Sequence, residues 1–95
     1  MSKKIIVACG GAVATSTIVA HKIEEFCKQN QVDVEICQVR LSEIRANLDG
    51  ASLIIPTGKV NEDYGVPVIS GMPFIAGVGV ERVEAEILQL LKETE

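Results

Sequence analysis

The chain has no tryptophan, one tyrosine and two phenylalanines, so aromatic residues make up 3% of it. Platforms on which bases or sugar rings could stack are therefore scarce. Basic residues are in deficit as well: nine Lys and Arg against thirteen Asp and Glu leave a formal charge of −4, the wrong sign for neutralising nucleic-acid phosphates. Nucleic acid is not an expected partner. One histidine and three scattered cysteines are too few for a closed metal site, and an odd cysteine count argues against a disulfide framework and for a reducing compartment. The uncharged stretch Gly65 to Val80 is shorter than the roughly 20 residues of a membrane helix and is broken by Gly and Pro, so no membrane insertion is expected. Lys3-Lys4 before an apolar run imitates an export signal, yet only Ile5 to Ala8 separate the lysines from Cys9, where about 7–15 apolar residues are needed. A cytoplasmic location follows as the expectation. Ninety-five residues leave room for one core, since a second needs roughly 50 more, and 1–95 is read as a single domain.

What is present is an alternation of strand and helix patterns. Ile5-Ile6-Val7-Ala8 has no polar alternation, as befits a strand covered on both faces of a parallel sheet. Val19, Ile23, Phe26 and Cys27 share one face of a helix from Thr15 or Ser16 to about Gln29, opened by hydroxyl caps. Val32, Val34 and Ile36 alternate with acids in a second strand, Gln31 to Val39, with one wet face near an edge. Leu41-Ser42 reads as the staple and cap of a short helix carrying Ile44 and Leu48 and closed by Gly50. Ala51 to Ile55 is a third strand. Val66 to Ile69 is a short fourth one, demoted to an edge or strand end by Pro67. An apolar, glycine-rich loop from Gly71 to Gly79 leads to a last helix, Val80 to Glu93, burying Val80, Val83, Ile87, Leu90 and Leu91. The expected fold is α/β: a three-layer sandwich with an open four-stranded parallel sheet and helices on both faces. In such sheets ligands bind at the carboxyl ends of the strands, where Cys9, Thr57-Gly58-Lys59 and the Gly71 to Gly79 loop all fall.

The loop Cys9-Gly10-Gly11-Ala12-Val13-Ala14-Thr15-Ser16-Thr17 places a thiol at the lip of a turn running into a helix N-terminus. Amides without intrahelical partners and the positive end of the helix dipole stabilise an oxyanion or a thiolate there. Gly10 and Gly11 allow close backbone approach, and Thr15, Ser16 and Thr17 offer hydroxyl donors to a tetrahedral anion. Lacking the lysine of a P-loop and the Gly-x-Gly-x-x-Gly of a dinucleotide site, it reads as a cradle for a phosphoryl group on sulfur. Low-molecular-weight tyrosine phosphatases resemble it in shape. They place an Arg where Thr15 stands and use a late Asp as general acid, whereas Gly71 to Gly79 holds no carboxylate. Without guanidinium and acid, hydrolysis should be feeble and a phosphocysteine should persist.

On these residues the sequence resembles the enzyme IIB subunits of the bacterial phosphoenolpyruvate-dependent sugar phosphotransferase system, most closely their galactitol branch. The resemblance runs through the opening from Lys3 to Thr17, Asp49-Gly50, Gly71-Met72-Pro73-Phe74 and Gly77-Val78-Gly79. It implies that the thiol matching Cys9 takes phosphate from a phosphohistidine on a IIA subunit and passes it to a sugar bound by a membrane IIC subunit. Both encounters would be transient. No metal or organic cofactor is implied. Two other classes stay open: a small phosphatase-like hydrolase with a cysteine nucleophile, and a non-catalytic domain that binds an anion or a partner.

Other residues carry weaker expectations. Lys3 and Lys4 begin the first strand, roughly 16 Å from Cys9, and belong to the opposite edge. Lys59 is the candidate cation for the phosphate or for an acidic rim on a partner, with Asn61 to Tyr64 on the same rim. Met72 and Phe74 are candidates for a docking surface near Cys9, or for core packing. His21 lies more than a turn into the first helix and reads as a helix surface residue; Cys27 and Cys37 read as packing residues.

Overall fold

A computed structural model of the chain describes residues 3–10, 13–58 and 64–93, with backbone alone at 13–16 and 92–93. Its elements are β1 (Lys3–Cys9), α1 (Val13–Gln29), β2 (Val34–Arg40), two 3-10 turns (Leu41–Glu43 and Arg45–Asn47), β3 (Ala51–Pro56), α2 (Met72–Ala76) and α3 (Val80–Glu93). All strands are parallel, in the order β2-β1-β3. β1 is the middle strand, and its apolar run from Ile5 to Cys9 is buried throughout, as a strand covered on both faces must be.

Successive residues of β1 point to opposite faces and so enter two different cores. Ile5 and Val7, with Leu53 and Ile55 of β3, meet Val19, Ile23 and Cys27 of α1, Phe74 of α2 and Val83, Ile87 and Leu91 of α3. Ile6, Ala8 and Ile54 meet Ile44, flanked by the partly buried Val39, Leu41, Leu48, Tyr64 and Val66. Arg45 lies over the Tyr64 ring, 5.2 Å from its centroid, and roofs this second core. β2 begins at Val34 rather than Gln31 and pairs with β1 alone; Val34 and Ile36 are half-buried on either side of the exposed Glu35, and the alternation breaks at Cys37, which is half-buried as well.

Among the described residues the sheet has three strands rather than the expected four. Val66 to Ile69 forms a single parallel bridge, Ile54 to Val68, in which Ile54 N–H donates to Pro67 O at 2.9 Å and Ile69 N–H to Ile54 O at 2.9 Å. Pro67 has no N–H with which to extend a ladder. The expected short helix after β2 is also absent. Its segment closes as two 3-10 turns, the first opened by Arg40 N–H donating to Glu43 Oε1 at 3.0 Å rather than by a Ser42 cap. Asn47 Nδ2 donates to Glu43 O at 2.8 Å, a side-chain bond to the backbone that competes with a regular helix. Among the described residues, α-helices therefore contribute to one core and 3-10 turns to the other.

The Gly71 to Gly79 loop contains a helix the sequence did not suggest. Pro73 supplies a preset φ in the first turn of α2, Gly77 ends it at φ 75, and Phe74 is the residue it buries. Gly71 is needed for space. A Cβ there would lie 3.0 Å from Ile55 Cγ2 and 3.3 Å from both Pro56 O and Val19 Cγ1, and its N–H donates to Pro56 O at 2.8 Å. At the other end of the molecule α1 stops without a glycine: Gln31 takes φ 59, its N–H donates to Lys28 O, and Val32 N–H reaches back to Cys27 O at 2.8 Å. This is the paired-bond C-terminal motif usually built on glycine.

Two outcomes follow for urea unfolding. Gly71→Ala should destabilise by about 1–3 kcal/mol through overpacking between β3 and α1. Gln31→Gly should stabilise by about 1 kcal/mol by relieving the left-handed backbone; an unchanged or lower midpoint would contradict this account of the helix stop.

Candidate active site

Cys9 is the last residue of the central strand. The chain leaves β1 toward β2 on one side, and β3 pairs on the other, so the carboxyl end of β1 is the switch point where open α/β sheets bind ligands. α1 begins at Val13, two to three residues earlier than the hydroxyl-cap reading. Thr15 and Ser16 consequently lie in its first turn rather than before it, and the amides without intrahelical partners belong to the residues that follow Ala12. Gly11 and Ala12 lie outside the described residues, and of Val13, Ala14, Thr15 and Ser16 only the backbone is described. Thr17 is in the second turn, where its Oγ1 accepts from Gln38 Nε2 at 3.1 Å, tying α1 to β2 beside the loop.

Neighbouring strand ends form the walls. Thr57 donates twice to Ala8 O, from its N–H at 2.8 Å and its Oγ1 at 3.2 Å, holding the end of β3 beside the end of β1. Gly10 and Gly58 both abut Leu41, so a Cβ at either would come within 3.5 Å and 3.4 Å of Leu41 Cδ1. Arg40 is the register partner of Cys9 across the β1–β2 ladder, a basic residue the sequence reading did not single out. The missing signal was one more residue of strand: ending β2 at Val39 removes Arg40 from the pairing.

The other candidates separate. Lys59 and residues 61–63 lie outside the described residues. Phe74 is 1% exposed and is a core residue, so a surface role for it is corrected here, while Met72 is 48% exposed. Ile18 of α1 and Ile75 of α2 are exposed apolar side chains on the same two helices. Lys4 Nζ donates to Asn47 O at 2.7 Å and Asp49 O at 3.1 Å, clamping the far end of β1. His21 is exposed, with Nε2 3.6 Å from Glu25 Oε1 one turn on. Among the described residues no group of three or more His, Cys, Asp and Glu could hold a metal ion, and no helix is long and apolar enough to cross a membrane.

This arrangement of strand end, glycine turn and helix start coincides with a family match. Residues 4–86 match the family described as PTS system, lactose/cellobiose specific IIB subunit. The chain belongs to the enzyme IIB family of the sugar phosphotransferase system. It is 48% identical to the galactitol-specific EIIB component of Escherichia coli K12, over 97% of this chain and 99% of that one. It is 26% identical to the ascorbate-specific EIIB component of Escherichia coli O157:H7, over 82% and 74%. The fold is that of the lactose-specific IIB domain of Streptococcus pneumoniae, with TM-score 0.64, 21% identity and coverage of 98% and 97%. The chain is thus a component of a phosphotransferase system.

Three free thiols in this IIB chain sit in different surroundings. Cys9 is 3% exposed, a buried residue at the end of its strand rather than one at the lip expected from sequence. Cys37 is half-buried on β2, and Cys27 is fully buried in the core between α1 and the sheet. Burial pushes the Cys27 thiol up to about 11. Its thiolate is therefore about a hundredfold scarcer near neutrality than that of an ordinary cysteine. Peptide mapping after iodoacetamide treatment of the folded chain should find Cys27 the least modified of the three. Between pH 9 and 11 the unfolded chain releases the Cys27 proton while the folded chain keeps it. Stability should fall across that window by up to about 3 kcal/mol, and Cys27→Ala should flatten that part of the urea-midpoint curve.

Proposed function

We propose that the protein is the phosphoryl-carrying subunit of a sugar uptake system, with Cys9 as nucleophile and the backbone of Gly10 to Ser16 as the anion cradle. Thr15, Ser16 and Thr17 serve as hydroxyl donors. The observation that carries this reading is the position of Cys9 at the carboxyl end of the central strand, followed at once by a glycine turn and a helix start. An anion there meets unpaired amides at a focused positive potential. Residues 1–95 make up one IIB domain, working in the cytoplasm.

The step is an exchange of one bond for another. The Cys9 thiolate attacks the phosphorus of a phosphohistidine on the IIA subunit; the P–N bond breaks, its electron pair returning to the imidazole, and an S–P bond forms. A hydroxyl of the sugar held by the membrane IIC subunit then attacks the same phosphorus and loses its proton, and the S–P bond breaks to regenerate the thiolate. Galactitol is the substrate favoured by the likeness to the galactitol-specific EIIB component. Both partners must use the face around Cys9, so the contacts are small and brief. Met72, exposed on α2, contributes to that face, with Lys59 at its rim. Thr15 stands where the phosphatases carry an arginine in the loop, and persistence of the phosphocysteine favours transfer over hydrolysis.

Incubation with phosphoenolpyruvate, the general phosphotransfer proteins and a galactitol-type IIA should add one phosphate by intact mass. Cys9→Ser should abolish the addition, whereas Cys27→Ser and Cys37→Ser should retain it. Membranes carrying a galactitol IIC should then discharge the label onto galactitol. Rapid turnover of an aryl phosphate with no labelled intermediate would instead make it a hydrolase, and no attachment at all a binding domain.

A further inference from the structure

We infer that Arg40 is a phosphate-binding residue of this site, its guanidinium pairing from the neighbouring strand with the phosphoryl group carried by Cys9. The inference rests on the phosphocysteine reading above. Cys9 and Arg40 are partners in the β1–β2 register, on adjacent strands about 4.8 Å apart. They also share a face. Ile5 and Val7 on β1, and Val34 and Ile36 on β2, point into the core formed with α1, so strand alternation puts Cys9, Gln38 and Arg40 on that side. The bond from Gln38 to Thr17 of α1 verifies the direction two residues before Arg40.

Four other described cations are engaged elsewhere. Lys4 clamps carbonyls at the opposite end of β1, Lys22 Nζ donates to Phe74 O at 2.8 Å, Arg45 covers Tyr64, and Arg82 lies 3.8 Å from Glu86. Arg40 is exposed at the strand end that carries the nucleophile. The nearby carboxylate of Glu43 accepts the Arg40 backbone N–H at 3.0 Å, which fixes the backbone from which the guanidinium extends. A phosphoryl group on sulfur presents oxygens that a guanidinium meets with parallel N–H donors, which a lysine cannot reproduce. The charge absent from the loop at Thr15 is thus supplied from β2. The Gly71 to Gly79 segment brings no carboxylic acid to protonate a leaving group.

The test follows phosphocysteine by phosphorus NMR across pH in the phosphorylated full chain, comparing wild type, Arg40→Gln, Arg40→Lys and the remote Arg82→Gln, with amide spectra to establish folding. Arg40→Gln should raise the midpoint of the second phosphoryl ionisation by about one pH unit, since a cation beside the dianion favours it. It should also slow phosphorylation by phospho-IIA about tenfold. Arg40→Lys should restore part of the shift, and Arg82→Gln should match wild type. If Arg40→Gln does not fold, a folded Arg40→Lys decides: a midpoint displaced from wild type supports the inference. A folded Arg40 variant that carries phosphate on Cys9 and titrates at the wild-type midpoint overturns the role of Arg40 and leaves the phosphocysteine reading intact. Wild type that takes up no phosphate on Cys9 overturns both.

Discussion

The double-sided burial of β1 is the constraint on which the rest of the molecule depends. Ile5, Ile6 and Val7 are wholly buried, and each contributes on the order of 1.5–3 kcal/mol by leaving water. A strand buried on both faces must have strands on both edges to satisfy its amides and carbonyls, and β2 and β3 supply them. Once β1 is central, its last residue is where the chain turns toward α1, and where the ends of β2 and β3 lie alongside. The role proposed for Cys9 rests on that placement.

Packing around β1 also differentiates the three cysteines. Cys9 is buried at a strand end, while Cys27, on the inward face of α1, is enclosed by hydrocarbon and held protonated. Residues of one name thereby meet different surroundings. The asymmetry of the two cores has a similar origin. α1 and α3 fill the larger one, whereas the crossover from β2 to β3 is too short for more than two 3-10 turns anchored by Ile44.

Much of this was legible in residue order. The unbroken apolar run of β1, the alternation of β2, and the boundaries of α3 at Val80 and Glu93 all appear in the structure as the pattern implied. Departures occurred where local patterns are weak. Val66 to Ile69 has strand composition, yet Pro67 limits it to one bridge. Gly71 to Gly79 reads as loop because glycines flank it, while Pro73 and Gly77 in fact start and stop a short helix that buries Phe74. The hydroxyls of Thr15 and Ser16 suggested a helix start that lies two to three residues earlier.

From the sequence alone came the candidate nucleophile and the class of fold, because each is a local signal: a residue type beside turn glycines, a period of burial. The tertiary structure decided which side chains share the site with Cys9. Pairing register is a property of two strands separated by a helix, and one residue of strand length determines whether Arg40 pairs with Cys9. Likewise, only packing against Ile55 and Val19 shows that Gly71 is required for its missing side chain, and only burial shows that Phe74 belongs to the core while Met72 meets solvent. Such facts depend on distances between segments far apart in the chain, which no local pattern encodes.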